Sequence, residues 1–209
     1  MKILQEGPIA DFLNRFMNLL LLNVLWFLCS LPIITLGAST CAVYEVTLQY
    51  SFQEDPPIFN TFFHAFRRHL KKATALFFIF AAAGLFLLID FWCALHWLTP
   101  LRTIIIIVIL SVSYFYLAIL SHVFPVLAYF DTGITESIRK AFILSMSNGI
   151  FTIFIMVMDI LPVLAIIRFP SHIGEILVFY LVIGFSVIAM LNSMHLARLF
   201  DPERIEKAK

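Results

Sequence analysis

Long apolar runs alternate with short polar connections along the whole chain, and this pattern predicts an all-α, polytopic helical membrane protein. A helix needs about 20 consecutive apolar residues to cross a bilayer. The segment at 40–53 is shorter and is interrupted by Glu45 and Gln49, so the pattern leaves its crossing open. The five longer runs, which we predict to span, cover residues 19–36, 73–92, 102–129, 150–169 and 176–196. We expect residues 1–209 to form a single transmembrane domain.

Two polar connections have the pattern of amphipathic helices that lie in the membrane interface. The clearer one, at 55–72, reads DPPIFNTFFHAFRRHLKK: Asp55 is a suitable helix cap, and the apolar residues fall three or four apart. Its end is strongly basic, with Arg67, Arg68, Lys71 and Lys72 directly before the apolar run that starts at Ala73. A second such helix is predicted at 131–146. Basic residues beside a span favour the cytoplasmic side.

The distribution of Lys and Arg predicts the orientation of the spans. All but Arg102 and Arg168 of the 14 basic residues lie near the N-terminus, in the two amphipathic segments or in the C-terminal tail. Placing these in the cytoplasm gives six crossings with both termini inside, provided that 40–53 crosses. The alternative has five crossings and an outside N-terminus, which moves Lys2 and Arg15 to the wrong face; 40–53 is then a re-entrant segment. We favour six.

The composition and the absent motifs argue against several classes of protein and site. The chain is 62% hydrophobic and 13% charged, so no part of it is typical of a separate soluble domain. Three cysteines lie in apolar runs without a Cys-x-x-Cys spacing, which argues against disulfides and metal binding. Phosphate-binding loops, nucleophile elbows and H-E-x-x-H motifs are absent from the sequence. We therefore expect no enzymatic activity, no cofactor and no metal, and we expect no nucleic-acid partner because topology explains the basic clusters.

Asp159 is the sharpest candidate for a functional residue. Counted from Arg168 at the outer end of its span, nine residues place Asp159 roughly 13 Å deep, near the midplane. A carboxylate at that depth is costly, so it should face other helices or a wet cavity. Pro162 follows and can open the local backbone, as in transporters with broken helices. The residue is either a proton or solute site, or a protonated carboxyl that hydrogen-bonds across helices.

A second group of polar residues lies towards the cytoplasmic ends of the inward-running helices. Such residues can line a polar vestibule in which histidines titrate near neutral pH. They can equally be ordinary hydrogen-bonding contacts between membrane helices, each worth about 0.6 kcal/mol, and this is the interpretation we prefer. The group consists of Glu45, Gln49, His122, Asn192 and His195.

The run WFLCSLPIITLGAST at Trp26–Thr40, together with FFHAFRRHLKK at Phe62–Lys72, resembles the YesL-like family of small bacterial membrane proteins. The most specific positions are Leu31, Pro32, Gly37, Ala38, Ser39 and Thr40. The resemblance implies a multi-pass protein of the bacterial plasma membrane without an assigned activity. Members are often encoded near carbohydrate-uptake genes, which implies an accessory role in sugar transport. From the residues themselves, we expect the proline and the small residues to form a closely packed hinge.

Three functions follow as hypotheses. The first is a non-enzymatic accessory component of carbohydrate uptake that contacts the bilayer and a permease, or a second copy of itself. The second is an autonomous small-solute or proton-coupled transporter that uses Asp159. The third is a lipid-binding membrane scaffold built on the amphipathic helices. In all three cases we expect the C-terminus to lie in the cytoplasm.

Overall fold

A computed structural model describes residues 8–96 and 101–201. Within these ranges the chain forms eight α-helices and no strand, which confirms the all-α fold. Short 3₁₀ turns lie at Ile33–Thr35 and Pro170–His172, and a π-helical turn lies at Tyr180–Gly184. The helices are α1 (Pro8–Ser30), α2 (Leu36–Ser51), α3 (Ile58–His96), α4 (Arg102–Phe130), α5 (Ile134–Ser147), α6 (Gly149–Arg168), α7 (Ile173–Phe179) and α8 (Phe185–Phe200).

The core of the bundle is built around α2. This helix packs against α1, α3, α4 and α8, and 12 of its 16 residues are buried. Its side chains are mostly small, and such residues allow helix backbones to approach closely in membrane proteins. Gly37 shows this directly: a Cβ atom there would lie 2.4 Å from the backbone oxygen of Ala73 on α3. The small-residue run therefore packs closely, as predicted, but it forms the first turn of α2 and is not itself a hinge.

Four helices in the described part of the chain are long and apolar enough to cross a membrane, which confirms a polytopic architecture. These are α1 from Leu13 onwards, α3, α4 and α6. A fifth span results if the segments Pro170–Val182 and Phe185–Phe200, which are bent by 50° relative to one another, count as one. By contrast, the 16 residues of α2 extend only roughly 24 Å, less than the hydrocarbon thickness of about 30 Å.

The predicted boundary at Ala73 is wrong. Instead of an interfacial helix followed by a separate span, α3 runs without a break over 39 residues, or roughly 58 Å. Between Phe66 and Phe77 the sequence holds no glycine or proline that would end a helix, and α2 packs along this part of α3. The basic segment therefore continues the axis of the span. The second amphipathic segment does form a helix of its own, α5, which ends before Asn148.

Two other predicted boundaries also move. The expected first span at 19–36 and its entry helix are one helix, α1, which ends at Ser30 because a residue preceding proline, here Leu31, disfavours the α conformation. The expected last span at 176–196 is broken by the π-helical turn between α7 and α8. Pro125 and Pro162, in contrast, lie inside α4 and α6 without ending them.

Candidate functional site

A cavity of about 410 Å³ lies between α2, α4, α6 and the π-helical turn. One side is aromatic, with the rings of Phe77, Phe124 and Phe185. The polar groups in the lining are those of Thr40, Tyr44, Ser121, Asp159 and Tyr180. A mainly apolar cavity with a few convergent polar groups is the usual form of a small-molecule site.

Asp159 enters this cavity because of the way α6 packs. The buried residues of α6 are Thr152, Ile155 and Met156, all in its first half. About one turn beyond them Asp159 is exposed, and its side chain lines the cavity. Hydrocarbon cannot hydrate a carboxylate, so a side chain exposed at this depth requires a polar partner in the cavity. Both surroundings that the sequence left open for Asp159 are represented: it lines a cavity, and the Ser121 hydroxyl of α4 is its hydrogen-bond partner across helices.

Asn23 on α1 holds the π-helical turn next to this cavity. Its Nδ2 donates to the backbone carbonyls of Tyr180, at 3.2 Å, and of Leu181. Its Oδ1 accepts from the backbone N–H of Ser186, at 2.8 Å, and from the hydroxyl of the same residue, at 2.9 Å. The side chain is fully buried. Sequence reasoning missed this role; the only available signal was an amide within an apolar run, which does not identify its partners.

Three of the predicted polar residues form a buried seam beside the cavity. Asn192 Nδ2 donates to the Tyr44 hydroxyl at 3.3 Å, while the Asn192 Oδ1 has no hydrogen-bond partner among the described residues. His122 Nδ1 donates to the Ala118 carbonyl at 2.9 Å, and its Nε2 is likewise unpartnered, as is Nε2 of His195. The two imidazoles are near enough to interact electrostatically. Buried polar atoms of this kind are usually satisfied by bound water.

Glu45 does not belong to this seam. Its Oε2 lies 2.9 Å from Arg68 Nη2 and 3.1 Å from Nε2 of the fully buried His69, both on α3. Asp131, at the end of α4, completes the cluster: its Oδ1 lies 2.9 Å from Lys72 Nζ and its Oδ2 lies 3.7 Å from Arg68 Nε. These ion pairs, referred to below as the charge cluster, join α2, α3 and α4. Gln49 lies nearby on α2, beside a small groove that also includes Glu45.

The charge cluster divides the predicted basic group into two pairs. Arg68 and Lys72 form ion pairs with Glu45 of α2 and with Asp131 at the end of α4, although Arg68 remains partly exposed; Arg67 and Lys71 are exposed and take no part in the cluster. Partial burial of Asp131 opposes ionisation, but its hydrogen bond from Lys72 and the charges of the cluster outweigh this effect. The pKa of Asp131 is therefore lowered from its ordinary value. Only half of the basic group remains free to meet lipid headgroups.

The sequence motif at residues 31–40 surrounds the connection between α1 and α2. Pro32 ends α1, and the hydroxyls of Ser30 and Ser39 share a hydrogen bond of 2.6 Å across the hairpin. Thr40 accepts a hydrogen bond from the indole of Trp26 at 3.3 Å and also lines the cavity. Leu31 is exposed, and Ala38 is fully buried. The motif is therefore chiefly structural, with Thr40 reaching the candidate site.

The described residues contain no group of three or more His, Cys, Asp or Glu side chains placed to hold a metal ion. Cys29, Cys41 and Cys93 are free cysteines.

Comparisons with known proteins place the chain among proteins of unassigned activity. A family model described as "Protein of unknown function, DUF624" matches residues 19–91. The chain is also 30% identical over 185 residues to "Uncharacterized protein YesL" of Bacillus subtilis (strain 168), which covers 85% of this chain and 86% of that protein. No solved structure matches.

Proposed function

Because the chain belongs to the YesL-like family, whose matched member is named only as uncharacterized, we propose a function from the geometry of its own cavity. We infer that the protein is a non-enzymatic accessory component of carbohydrate uptake, and that it holds a small sugar beside Asp159. The observation that carries this proposal is the cavity itself, whose lining combines aromatic side chains with a carboxylate. Its volume of about 410 Å³ lies within the range usual for small-molecule sites.

The chemistry of the lining favours a sugar over a purely apolar ligand. A pyranose has an apolar face that can pack against rings such as Phe124 and Phe185, and hydroxyl groups that can donate to a carboxylate. Asp159 supplies the acceptor, while Ser121 and Tyr180 offer groups that both donate and accept. The link to carbohydrate uptake is what the resemblance to the YesL-like family implies, and the polar and aromatic lining is compatible with it.

Trp26 provides an intrinsic reporter for binding, since its ring stacks on Phe185 of the cavity wall with centroids 4.1 Å apart. We would replace Trp92 and Trp97 by Phe and titrate the protein in nanodiscs with glucose and with maltose. We expect a saturable fluorescence change with at least one sugar, its loss in Asp159→Asn, and its retention in Asp90→Asn. No saturable response to either sugar, or equal binding by Asp159→Asn, would overturn the proposal.

The accessory role is tested separately by flux. Purified protein in liposomes should not move maltose by itself, whereas cells that lack the chain should take up maltose more slowly than cells supplied with it. Asp159→Asn should not restore uptake, and Asp90→Asn should. Uptake that is independent of the chain would contradict the accessory role.

An autonomous transporter is the second candidate, favoured by the broken helix pair α7–α8. The 50° bend and the π-helical turn lie beside the cavity, and discontinuous helices are typical of transporter binding sites. In this case the protein alone should move sugar or protons across the liposome membrane, and Asp159→Asn should abolish the flux. Absence of flux with wild-type protein would exclude this function for the solutes tested.

A lipid-binding scaffold is the third candidate, favoured by a groove at the start of α3. Phe59, Phe63 and Arg67 line this groove, and Lys71 continues the same helical stripe. Exposed rings followed by cations suit an anionic interface, at about 1 kcal/mol for each basic residue near the surface. Purified Arg67→Gln/Lys71→Gln protein should retain less phosphatidylglycerol than wild type, while Arg102→Gln should retain as much. Equal retention by all three would exclude this role.

A further inference from the structure

Asp159 is the only charged residue among the described residues that line the cavity. It lies within α6, a candidate span, and an ionised carboxylate in a membrane interior normally pairs with a positive charge. The basic residues of the charge cluster are not part of the lining. An ionised Asp159 therefore requires a positive charge from a bound species.

Pro125 leaves a main-chain oxygen of α4 without its usual helical donor. Proline has no backbone N–H, so position 125 cannot donate to the carbonyl of Ser121, four residues earlier. Ser121 and Pro125 both line the cavity, and the Ser121 hydroxyl is the hydrogen-bond partner of Asp159. Ser121 therefore brings two oxygens to the same part of the lining as the carboxylate, one from its hydroxyl and one from the main chain.

The other polar side chains of the lining carry hydroxyl groups, those of Thr40, Tyr44 and Tyr180. Thr40 Oγ1 donates to the Leu36 carbonyl at 2.8 Å and accepts from the Trp26 indole at 3.3 Å. Since a hydroxyl oxygen has two lone pairs, one of them remains available on Thr40. The described polar side chains of the lining are thus all oxygen ligands, which hard metal cations prefer to nitrogen and sulfur.

The single negative charge favours a monovalent cation. A divalent ion beside one carboxylate would leave a net positive charge in surroundings of low polarity, which is costly. A proton would also neutralise Asp159, but it hydrogen-bonds to one further oxygen, whereas a metal ion contacts several oxygens at once. Main-chain carbonyls at helix breaks coordinate coupling ions such as Na⁺ in secondary transporters.

We propose that the cavity contains a sodium site, in which Asp159 supplies the charge and Ser121 supplies its hydroxyl and main-chain oxygens. Water completes the coordination. Because the ion is small beside a cavity of about 410 Å³, the rings of Phe124 and Phe185 remain available to a larger ligand. The sodium site goes beyond the proposed sugar binding and does not depend on it.

Binding of radioactive sodium to the protein in nanodiscs, without sugar and at mildly alkaline pH, tests the site directly. We expect saturable binding that unlabelled NaCl displaces and choline chloride does not. Asp159→Asn should abolish this binding, and Asp90→Asn should retain it. Absence of saturable binding to wild type would show that sodium does not balance Asp159, and binding retained by Asp159→Asn would place the ion elsewhere. Either result would overturn the proposal.

Two pairs of variants test the oxygens of Ser121. Ser121→Ala should weaken sodium binding severalfold, whereas Ser111→Ala, on the same helix but outside the cavity lining, should not. Pro125→Ala provides an N–H that can donate to the Ser121 carbonyl, so it should also weaken binding. Pro162→Ala provides an N–H in α6 at a position outside the lining and should leave binding unchanged. Wild-type sodium affinity in Ser121→Ala or in Pro125→Ala would overturn the assignment of Ser121.

Thermal stability provides a second measurement that does not depend on a radioactive ligand. The melting temperature of the wild-type protein should rise when NaCl replaces choline chloride at constant ionic strength, because a ligand of the folded state stabilises it. The rise should persist in Asp90→Asn and disappear in Asp159→Asn. Equal wild-type melting temperatures in the two salts would contradict the sodium site. Since neither measurement contains sugar, that result would leave the proposed sugar binding unaffected.

Discussion

Replacement of Asn23 by leucine removes the contacts that hold the π-helical turn against α1 and keeps the number and branching of the side-chain heavy atoms. Four hydrogen bonds are lost: two to backbone carbonyls in the turn and two from Ser186. At an average of about 0.6 kcal/mol for each bond between membrane helices, their loss amounts to roughly 2.4 kcal/mol. This corresponds to a change of about 60-fold in the unfolding equilibrium constant. The Ser186 N–H, which points at Asn23 Oδ1, loses a partner that leucine cannot replace.

The assay is reversible unfolding in mixed micelles, in which the fraction of folded protein is followed as the proportion of denaturing detergent rises. Ser186→Ala is the matched control: it removes only the hydroxyl contact and should cost about a quarter of the Asn23→Leu effect. Asn23→Leu should also widen the angle between α7 and α8, measurable by spin-label distances. Unfolding free energies of wild type and Asn23→Leu that agree within about 0.5 kcal/mol would refute the reasoning, because the four bonds would then contribute nothing net.

The remaining predictions concern packing and charge. Gly37→Val should lower the melting temperature sharply, since a Cβ atom at this position would already clash with the Ala73 backbone oxygen. Gly149→Ala should leave the melting temperature unchanged, because an added Cβ atom there has no neighbour within 4 Å. Equal effects of the two substitutions would contradict close packing of α2 against α3. The lowered pKa of Asp131 stabilises the fold at pH values above the ordinary aspartate pKa of about 3.9. This stabilisation is lost as the pH falls below that value towards the lower pKa of the folded state. Melting curves of Asp131→Asn should therefore lack that part of the acid dependence. The effect should be below about 1 kcal/mol because the side chain is 40% exposed. Asparagine suits the left-handed backbone at this position, where φ is 45°. Glu45→Gln should destabilise the protein more than Lys72→Gln does, because Glu45 is the more buried and contacts both Arg68 and His69; a smaller effect of Glu45→Gln would exclude this assignment.

The sequence was informative about structural features that depend on one helix alone. Apolar runs predicted α4 and α6 nearly to the residue, and the α5 helix followed from its amphipathic pattern. Depth counting singled out Asp159, which lines the cavity between α2, α4 and α6. Each of these features depends on local composition and on the rise of 1.5 Å per residue, which do not require knowledge of neighbouring helices.

Features that depend on which helices meet were not predictable in the same way. Glu45 on α2 contacts α3, whereas Asn192 on α8 bonds to Tyr44 of α2, so the two belong to different clusters. The continuity of α3 through Ala73 and the clamp formed by Asn23 likewise follow from packing between distant segments. Hydropathy marks Leu13–Ser30 as a candidate span, but it does not reveal the hydrogen bond from the Thr35 hydroxyl to the Cys29 carbonyl in the turn that follows.

Chemical protection in native membranes tests whether Asp159 faces a solute-binding cavity. A hydrophobic carbodiimide would be used to modify carboxyl groups, with the extent at each acid read by mass spectrometry in the presence and absence of saturating maltose and glucose. We expect the carbodiimide to modify Asp159 and sugar to protect it, while modification of Asp90 is unchanged by sugar. Reaction at Asp159 that neither sugar diminishes, or no reaction there at all, would contradict the account.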